Sequence, residues 1–292
     1  MSWTLFRWVW QLQSPLYVGA EPAGAINRTR LYIPARTLWG AITAQIARSR
    51  AGNAFPNYDA IGEIIQNYAR FSYLFPGENI GNSWYAWLPC YEQGKGLVWQ
   101  REDGNSPLLN NRQFRMRLLS TRAATAIEPS SDSAEEGSLR ETECINTKWR
   151  DMSGRPAGSV AMVGYVFVHA NLDQGIRQAL EALESITIGG DTRYGLGQLK
   201  RVSCAQAKDL FGCAVNGDET NPCVMTNRIL GHADGSQIQS QCLQGQMEIL
   251  LGWNRGKLIT ETCSSPLWCP GSTCHENCYW HILPSGIWSP SQ

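Results

Sequence analysis

The chain has 292 residues, 43% of them hydrophobic and 17% charged, with 25 basic and 25 acidic side chains and a formal net charge of zero. That length and apolar share can bury a sizeable core in one large domain or two ordinary ones, which rules out a disordered or fibrous chain. No apolar run reaches the roughly 18 residues of a bilayer span, so no membrane partner is expected, and a zero net charge argues against bulk affinity for nucleic acid.

The opening stretch lacks the charged start, apolar block and small-residue cleavage site of a secretory signal. A cytoplasmic location is therefore expected, with the ten cysteines as thiols or metal ligands rather than disulfides. Residues 3–13 read as a strand, because Phe6, Trp8, Trp10 and Leu12 alternate with Leu5, Arg7, Val9 and Gln11. A loop broken by Pro15, Gly19, Pro22, Gly24 and Pro34 follows. Six arginines (Arg7, Arg28, Arg30, Arg36, Arg48, Arg50) face the single acid Glu21 within residues 1–50, so the neutral total hides a basic N-terminal segment. Thr37 is an expected N-cap for a helix that carries Leu38, Ile42 and Ile46 to about Arg48. A second helix is expected over 58–70 on Ile61, Ile64, Ile65 and Tyr68.

Residues 72–158 change character. They are aromatic, then basic ("NNRQFRMRLLSTR"), then acidic ("IEPSSDSAEEGSLRETE"), with strand-like pieces only near 97–100 and 113–120. They read as an insertion, because a buried strand (159–170), a helix (171–186) with Ile176, Leu180, Leu183 and Ile186 on one stripe, and a strand from Gln198 to Val202 come next. Two β-α-β-like halves in one chain point to an α+β, ferredoxin-like (RRM-like) core. The expected organisation is a core over 1–204, interrupted by 72–158, and a Cys-rich C-terminal extension over 205–292.

Between the last helix and the last core strand lies "IGGDTRYGLGQL" (188–199). Its glycines, Gly189, Gly190, Gly195 and Gly197, suit a phosphate cradle, a bulged hairpin or a plain loop, and Arg193 inside it suits the first. A helix beginning near Thr37 also turns its unpaired N–H groups and positive dipole end outward, with Arg28, Arg30 and Arg36 just before it; an anion at that place would reconcile the two, and a solvated basic loop is the plainer alternative.

Three stretches in order, "SPLYVG", "YIPARTLWGAI" and "IGGDTRYGLGQL", resemble the RAMP superfamily, the repeat-associated proteins that build type III CRISPR RNA-guided effectors. The likeness covers residues 3–50 and 159–202, and within the insertion only "TAIEPSSDSAEEGSLRETE" (125–143) is similar. The resemblance implies a backbone subunit that holds CRISPR RNA and the guide–target duplex, with target RNA, other RAMP subunits and a large signature subunit as partners. It implies RNA contacts at Gly19, Asn27, Arg28, Arg30, Arg36, Thr37, Gly189, Gly190, Arg193, Gly195 and Gly197. It also implies a thumb-like hairpin within 112–145, where Arg112, Arg115, Arg117 and Arg122 read as alternating along a strand that tracks a backbone.

Some members of the family cut target RNA with an aspartate between the first strand and first helix. Here Asn27 stands at that position, and an amide neither takes a proton nor holds a divalent cation as a carboxylate does. The implied role is scaffolding without cleavage and without Mg²⁺; Glu21, the only acid in that loop, is the alternative site for a metal-dependent endoribonuclease. A guide-processing nuclease is disfavoured, because no histidine precedes His169. A ferredoxin-like interaction module that binds no RNA is the rival outside the family. The acids Glu128, Asp132, Glu135, Glu136, Glu141 and Glu143 read as a solvated tip or a contact for a basic neighbour, with a catalytic carboxylate cluster as the lesser alternative. In the tail, Cys263, Cys269, Cys274 and Cys278 fall within sixteen residues, so a tetrahedral Zn²⁺ site and a packed apolar tail are both open readings.

Overall fold

The structure, a computed structural model, describes residues 2–236, 243–250 and 265–291. The first part of the chain runs β1 (Trp3–Leu12), α1 (Ala35–Ala51), α2 (Tyr58–Tyr68), β2 (Ala69–Phe71), β3 (Phe75–Ile80), β4 (Ser83–Glu92) and β5 (Gly96–Arg101). Then come α3 (Asn111–Leu118), β6 (Leu119–Ala124), β7 (Arg140–Ile145), β8 (Pro156–His169), α4 (Gln174–Glu181), β9 (Ser185–Thr187) and β10 (Gln198–Gln206). The last part adds β11 (Cys213–Asn216), β12 (Cys223–Arg228), β13 (Thr273–Ile282) and β14 (Trp288–Pro290).

The main sheet is ordered β9-β10-β1-β8-β3-β4-β5, with β2 also paired to β8. β1 is antiparallel to both neighbours, with Trp8 opposite Gly164 on β8 and Cys204 on β10. The alternation in β1 sets its register, but both of its faces are buried: Trp8, Val9 and Trp10 are all below 4% exposed. On one face Phe6 and Trp8 line a small cavity together with Leu180 of α4. On the other, Tyr165 of β8, opposite Arg7, packs edge-on against Phe211 of the C-terminal part. Burying a side chain of this size stabilises by roughly 2–3 kcal/mol, so a twice-covered central strand anchors the fold.

Several expected elements change. α1 begins at Ala35 with Pro34 at its N-cap, so Thr37 lies inside the first turn and caps nothing. Proline serves there because its fixed φ suits a helix start and the first-turn N–H groups have no helical partner in any case. α2 starts where the sequence indicates, with the Asn57 side chain accepting from the Ala60 amide at 3.1 Å. α4 stops at Glu181, short of 186, because Arg201 reaches back to the Leu180 carbonyl at 2.9 Å and Ser185–Thr187 is drawn into the sheet against β10. Residues 113–118 are helical, and only 119–120 of the expected strand near 113–120 are extended, as the start of β6. An Asn110–Gln113 capping box starts α3, and Phe114 and Leu118 at i and i+4 fill its buried face.

Residues 72–158 carry the main sheet onward through β3, β4 and β5 rather than looping off it. The C-terminal sheet, β11-β12-β13 with β14 on β13, shares one apolar cluster with the rest, from Trp3 to Trp288. Polar ties cross the same seam: the Ser2 and Trp3 amides donate to the Gly217 carbonyl, both at 3.1 Å, and Arg70 Nη2 donates to Asn221 at 3.0 Å.

Candidate nucleic-acid interface

The segment leaving β1, residues 14–19, is a spine to which three other pieces attach. On one side the Gly190 amide donates to the Tyr17 carbonyl at 2.9 Å and the Gly197 amide to the Pro15 carbonyl at 2.8 Å. On another, Leu16 and Ile145 of β7 exchange backbone hydrogen bonds at 2.9 and 2.8 Å. Further along, the Arg30 amide donates to the Val18 carbonyl at 2.8 Å, the Val18 amide donates to the Thr29 hydroxyl, and Gly19 bridges Thr29. The glycine loop, the arginine loop and β7 therefore meet on a single short stretch of backbone.

This joint explains the glycine cluster and corrects one expectation. Three of the loop's four glycine amides are not bare. Those of Gly190 and Gly197 are taken by the spine, and that of Gly195 donates to the Thr192 carbonyl at 3.1 Å. The glycines serve close approach: Gly197, at φ +75°, is buried against the Ile188 carbonyl, while Gly195, at φ +82°, lies in open space.

What the joint exposes are side chains. Arg28, Arg193 and Arg122 are exposed on the arginine loop, the glycine loop and β6. Two residues that the sequence reading passed over belong with them. Arg140, exposed at the start of β7, holds its guanidinium 5.1 Å from the ring centre of Tyr194, which is itself 69% exposed. An aromatic between the loop's glycines was the available signal, because a base can stack on such a ring. Asn27, half-buried, pairs in parallel with Thr142, and its side-chain amide approaches the Thr142 hydroxyl at 3.5 Å. Glu21 is exposed on the same loop, and Arg36 is exposed in the first turn of α1.

The arginines of α3 divide. Arg112 is exposed. Arg115 forks onto Glu143 with both contacts at 2.7 Å, and the same carboxylate accepts from the Thr29 amide at 3.3 Å, so Glu143 is a brace and not part of a solvated tip. Arg117 donates to Glu78 at 3.0 Å and to the Arg150 carbonyl at 3.1 Å, with Trp87 and Trp149 at 5.4 and 5.2 Å. These two are internal ties because a helix, unlike the expected strand, turns them toward β7 and the main sheet. Arg117→Ala is expected to cost about 3 kcal/mol in urea unfolding, from two lost hydrogen bonds, one of them to a carboxylate, and two lost ring contacts, with RNA affinity unchanged.

Arg30 is also spent internally. Its Nη1 donates to Glu248 at 2.6 Å and to the Tyr32 hydroxyl at 3.2 Å. The same Glu248 oxygen lies 2.5 Å from His232 Nε2, and His232 Nδ1 lies 2.6 Å from the Tyr73 hydroxyl. Glu248 only accepts, so Nε2 carries the hydrogen and Nδ1 accepts from Tyr73. Burial works against the charge of Glu248, but His232 and Arg30 outweigh it and hold the carboxyl well below the usual range. Burial lowers the pKa of His232 against the opposing pull of Glu248, and pushes the Cys269 thiol, 3.6 Å from Glu248, up to about 12.

The four-cysteine cluster, one of the two readings of the tail, does not assemble among the described residues. Cys263 lies outside them. Cys274 and Cys278 stand on β13 opposite Leu243 and Thr226, and Cys269 groups with His232 and Glu248 instead. That trio is the only set of three or more metal-ligating side chains that converges among the described residues. No described helix is long and apolar enough to cross a membrane.

An α+β protein whose first strand leads into a spine that clamps a glycine loop is the class that this fold and joint define. The RAMP superfamily family model matches residues 11–200, which include the spine, both loops and β7, and the chain belongs to that superfamily. A search of curated proteins found no match. Among solved structures, a chain of the cryo-EM structure of the Type III-B Cmr-beta bound to cognate target RNA and AMPPnP is 10% identical, with a TM-score of 0.55 over 92% of this chain and 85% of that one. A chain of the Type III-B Cmr-beta apo state is 12% identical, with a TM-score of 0.41 over 70% of this chain and 98% of that one.

Proposed function

We propose that this chain is a backbone subunit of a cytoplasmic type III CRISPR effector that serves antiviral defence, and that it holds guide RNA and the guide–target duplex without cutting either. The observation that carries this is the convergence of the glycine loop and the arginine loop on residues 14–19. That convergence gathers Arg28, Arg193, Arg122, Arg140 and the Tyr194 ring at one joint inside the RAMP match. Exposed arginines suit bidentate phosphate contact, and an exposed ring suits a stacked base. Gly19, Asn27, Arg36, Thr37, Arg112 and the loop glycines border or build this contact, whereas Arg30, Arg115 and Arg117 support it from within. The strand order β10-β1-β8-β3, with α1 after β1 and α4 after β8, supports reading the core as ferredoxin-like. The β6–β7 hairpin and its exposed tip at 125–139 take the place of the thumb.

The partners follow from this reading: CRISPR RNA, target RNA, neighbouring RAMP subunits and the large signature subunit. Support also comes from the likeness in fold to a chain of an effector captured with target RNA. Asn27, tied to Thr142, offers no proton acceptor where some members of the family cut. In the assembled particle, Asn27→Ala and Glu21→Ala are expected to leave the pattern of target-RNA cleavage unchanged on a denaturing gel. Loss of one cut site in either variant would assign this subunit the endoribonuclease role instead. A particle-free chain that purifies with a protein-like ultraviolet absorbance ratio and fails to shift guide RNA would favour the interaction module that binds no RNA.

A further inference from the structure

We propose that His232, Glu248 and Cys269 form a zinc site that ties three segments of the C-terminal part of the chain together where that part packs against the core. The ligand atoms, one from each side chain, all lie within 4.8 Å of one another, close enough to share one ion. They come from three separate segments: the loop after β12, the short strand Met247–Glu248, and the turn before β13. One imidazole, one carboxylate and one thiolate are ordinary zinc donors, and water completes four-coordination.

The surroundings supply what such a site requires. His232 is fully buried and is held through Nδ1 by the Tyr73 hydroxyl, from the short link between β2 and β3, so Nε2 points at the other two ligands. Metal-bound histidines are oriented by this kind of contact through the other ring nitrogen. When zinc binds, the Nε2 hydrogen moves to Nδ1, which then donates to the Tyr73 oxygen, and the Tyr73 hydroxyl hydrogen rotates away from Nδ1. The Cys269 thiol loses its proton to solvent. Two anionic ligands balance the dication. Arg30 and Tyr32, both on the Glu248 oxygen, come from the core, so the ion would sit on the seam where core and C-terminal part meet.

A tetracysteine site in the tail makes a different prediction, and so does a metal-free hydrogen-bonded network. The full chain, purified from zinc-supplemented cells, is expected to carry about one zinc per chain by plasma mass spectrometry. His232→Ala and Cys269→Ser are expected to lower this at least fivefold, while Cys274→Ser and Cys278→Ser retain it. Cobalt-loaded protein should show a thiolate charge-transfer band that is absent from Cys269→Ser, a variant that changes one atom and spares the fold even if His232→Ala unfolds. A wild-type chain without zinc after incubation with Zn²⁺ and gel filtration would overturn the proposal. So would zinc retained by Cys269→Ser, or zinc lost from Cys274→Ser or Cys278→Ser.

Discussion

Gly197→Ala is expected to destabilise the chain by about 3 kcal/mol or more, while Gly195→Ala, two residues earlier in the same loop, costs about 1 kcal/mol. Both positions have positive φ, +75° and +82°, so both carry the conformational penalty of a side chain in the left-handed region. Only Gly197 has a wall. A Cβ there would lie 1.9 Å from the Ile188 carbonyl oxygen, whereas nothing lies within 4 Å of a Cβ at 195. Making room means loosening the Ile188 amide from the Gly197 carbonyl (2.9 Å) and the Gly197 amide from Pro15 (2.8 Å), each bond worth roughly 1 kcal/mol. Urea unfolding of the two variants measures the difference. Equal costs would mean that the loop does not close against the spine as described.

Removing Arg28, Arg122, Arg140 and Arg193 together, each to alanine, is expected to weaken guide-RNA binding by about 10³-fold, from roughly 1 kcal/mol per phosphate contact. The four side chains are exposed, so unfolding should move little. A salt titration discriminates contact from indirect damage. Each phosphate contact removed flattens the slope of log affinity against log salt by about 0.7 on single-stranded nucleic acid. Arg117→Ala, which injures an internal tie, should leave that slope as in the wild type. A quadruple variant with wild-type affinity and slope would place the RNA path elsewhere on the molecule.

The pieces readable from local pattern were those whose partners lie nearby in sequence or whose periodicity is strong. The alternation of β1, the stripe of α1, the buried run of β8 and the start of α2 all belong here. Three motifs in order also sufficed for the family, since they sample both ends of the stretch that the family model matches. Residues 113–120 misled because arginines at 112, 115 and 117 fit a strand or a helix equally, and what decides is a short capping box and two apolar anchors.

Which cations face outward was beyond the sequence. Arg28 and Arg30 are two residues apart in one loop, yet Arg28 is exposed and Arg30 is bonded to Glu248, more than two hundred residues away. An ion pair across that separation is set by how the C-terminal part docks, and no local propensity encodes docking. The same holds for the cysteines: spacing along the chain grouped Cys269 with its neighbours in sequence, and folding grouped it with His232 and Glu248. Motif resemblance thus pointed to the family, and periodicity to the central strands and the place of a glycine cluster. The tertiary structure alone decided the use of that cluster, because backbone amides go to whichever carbonyl packing brings within reach, and here that was the spine's.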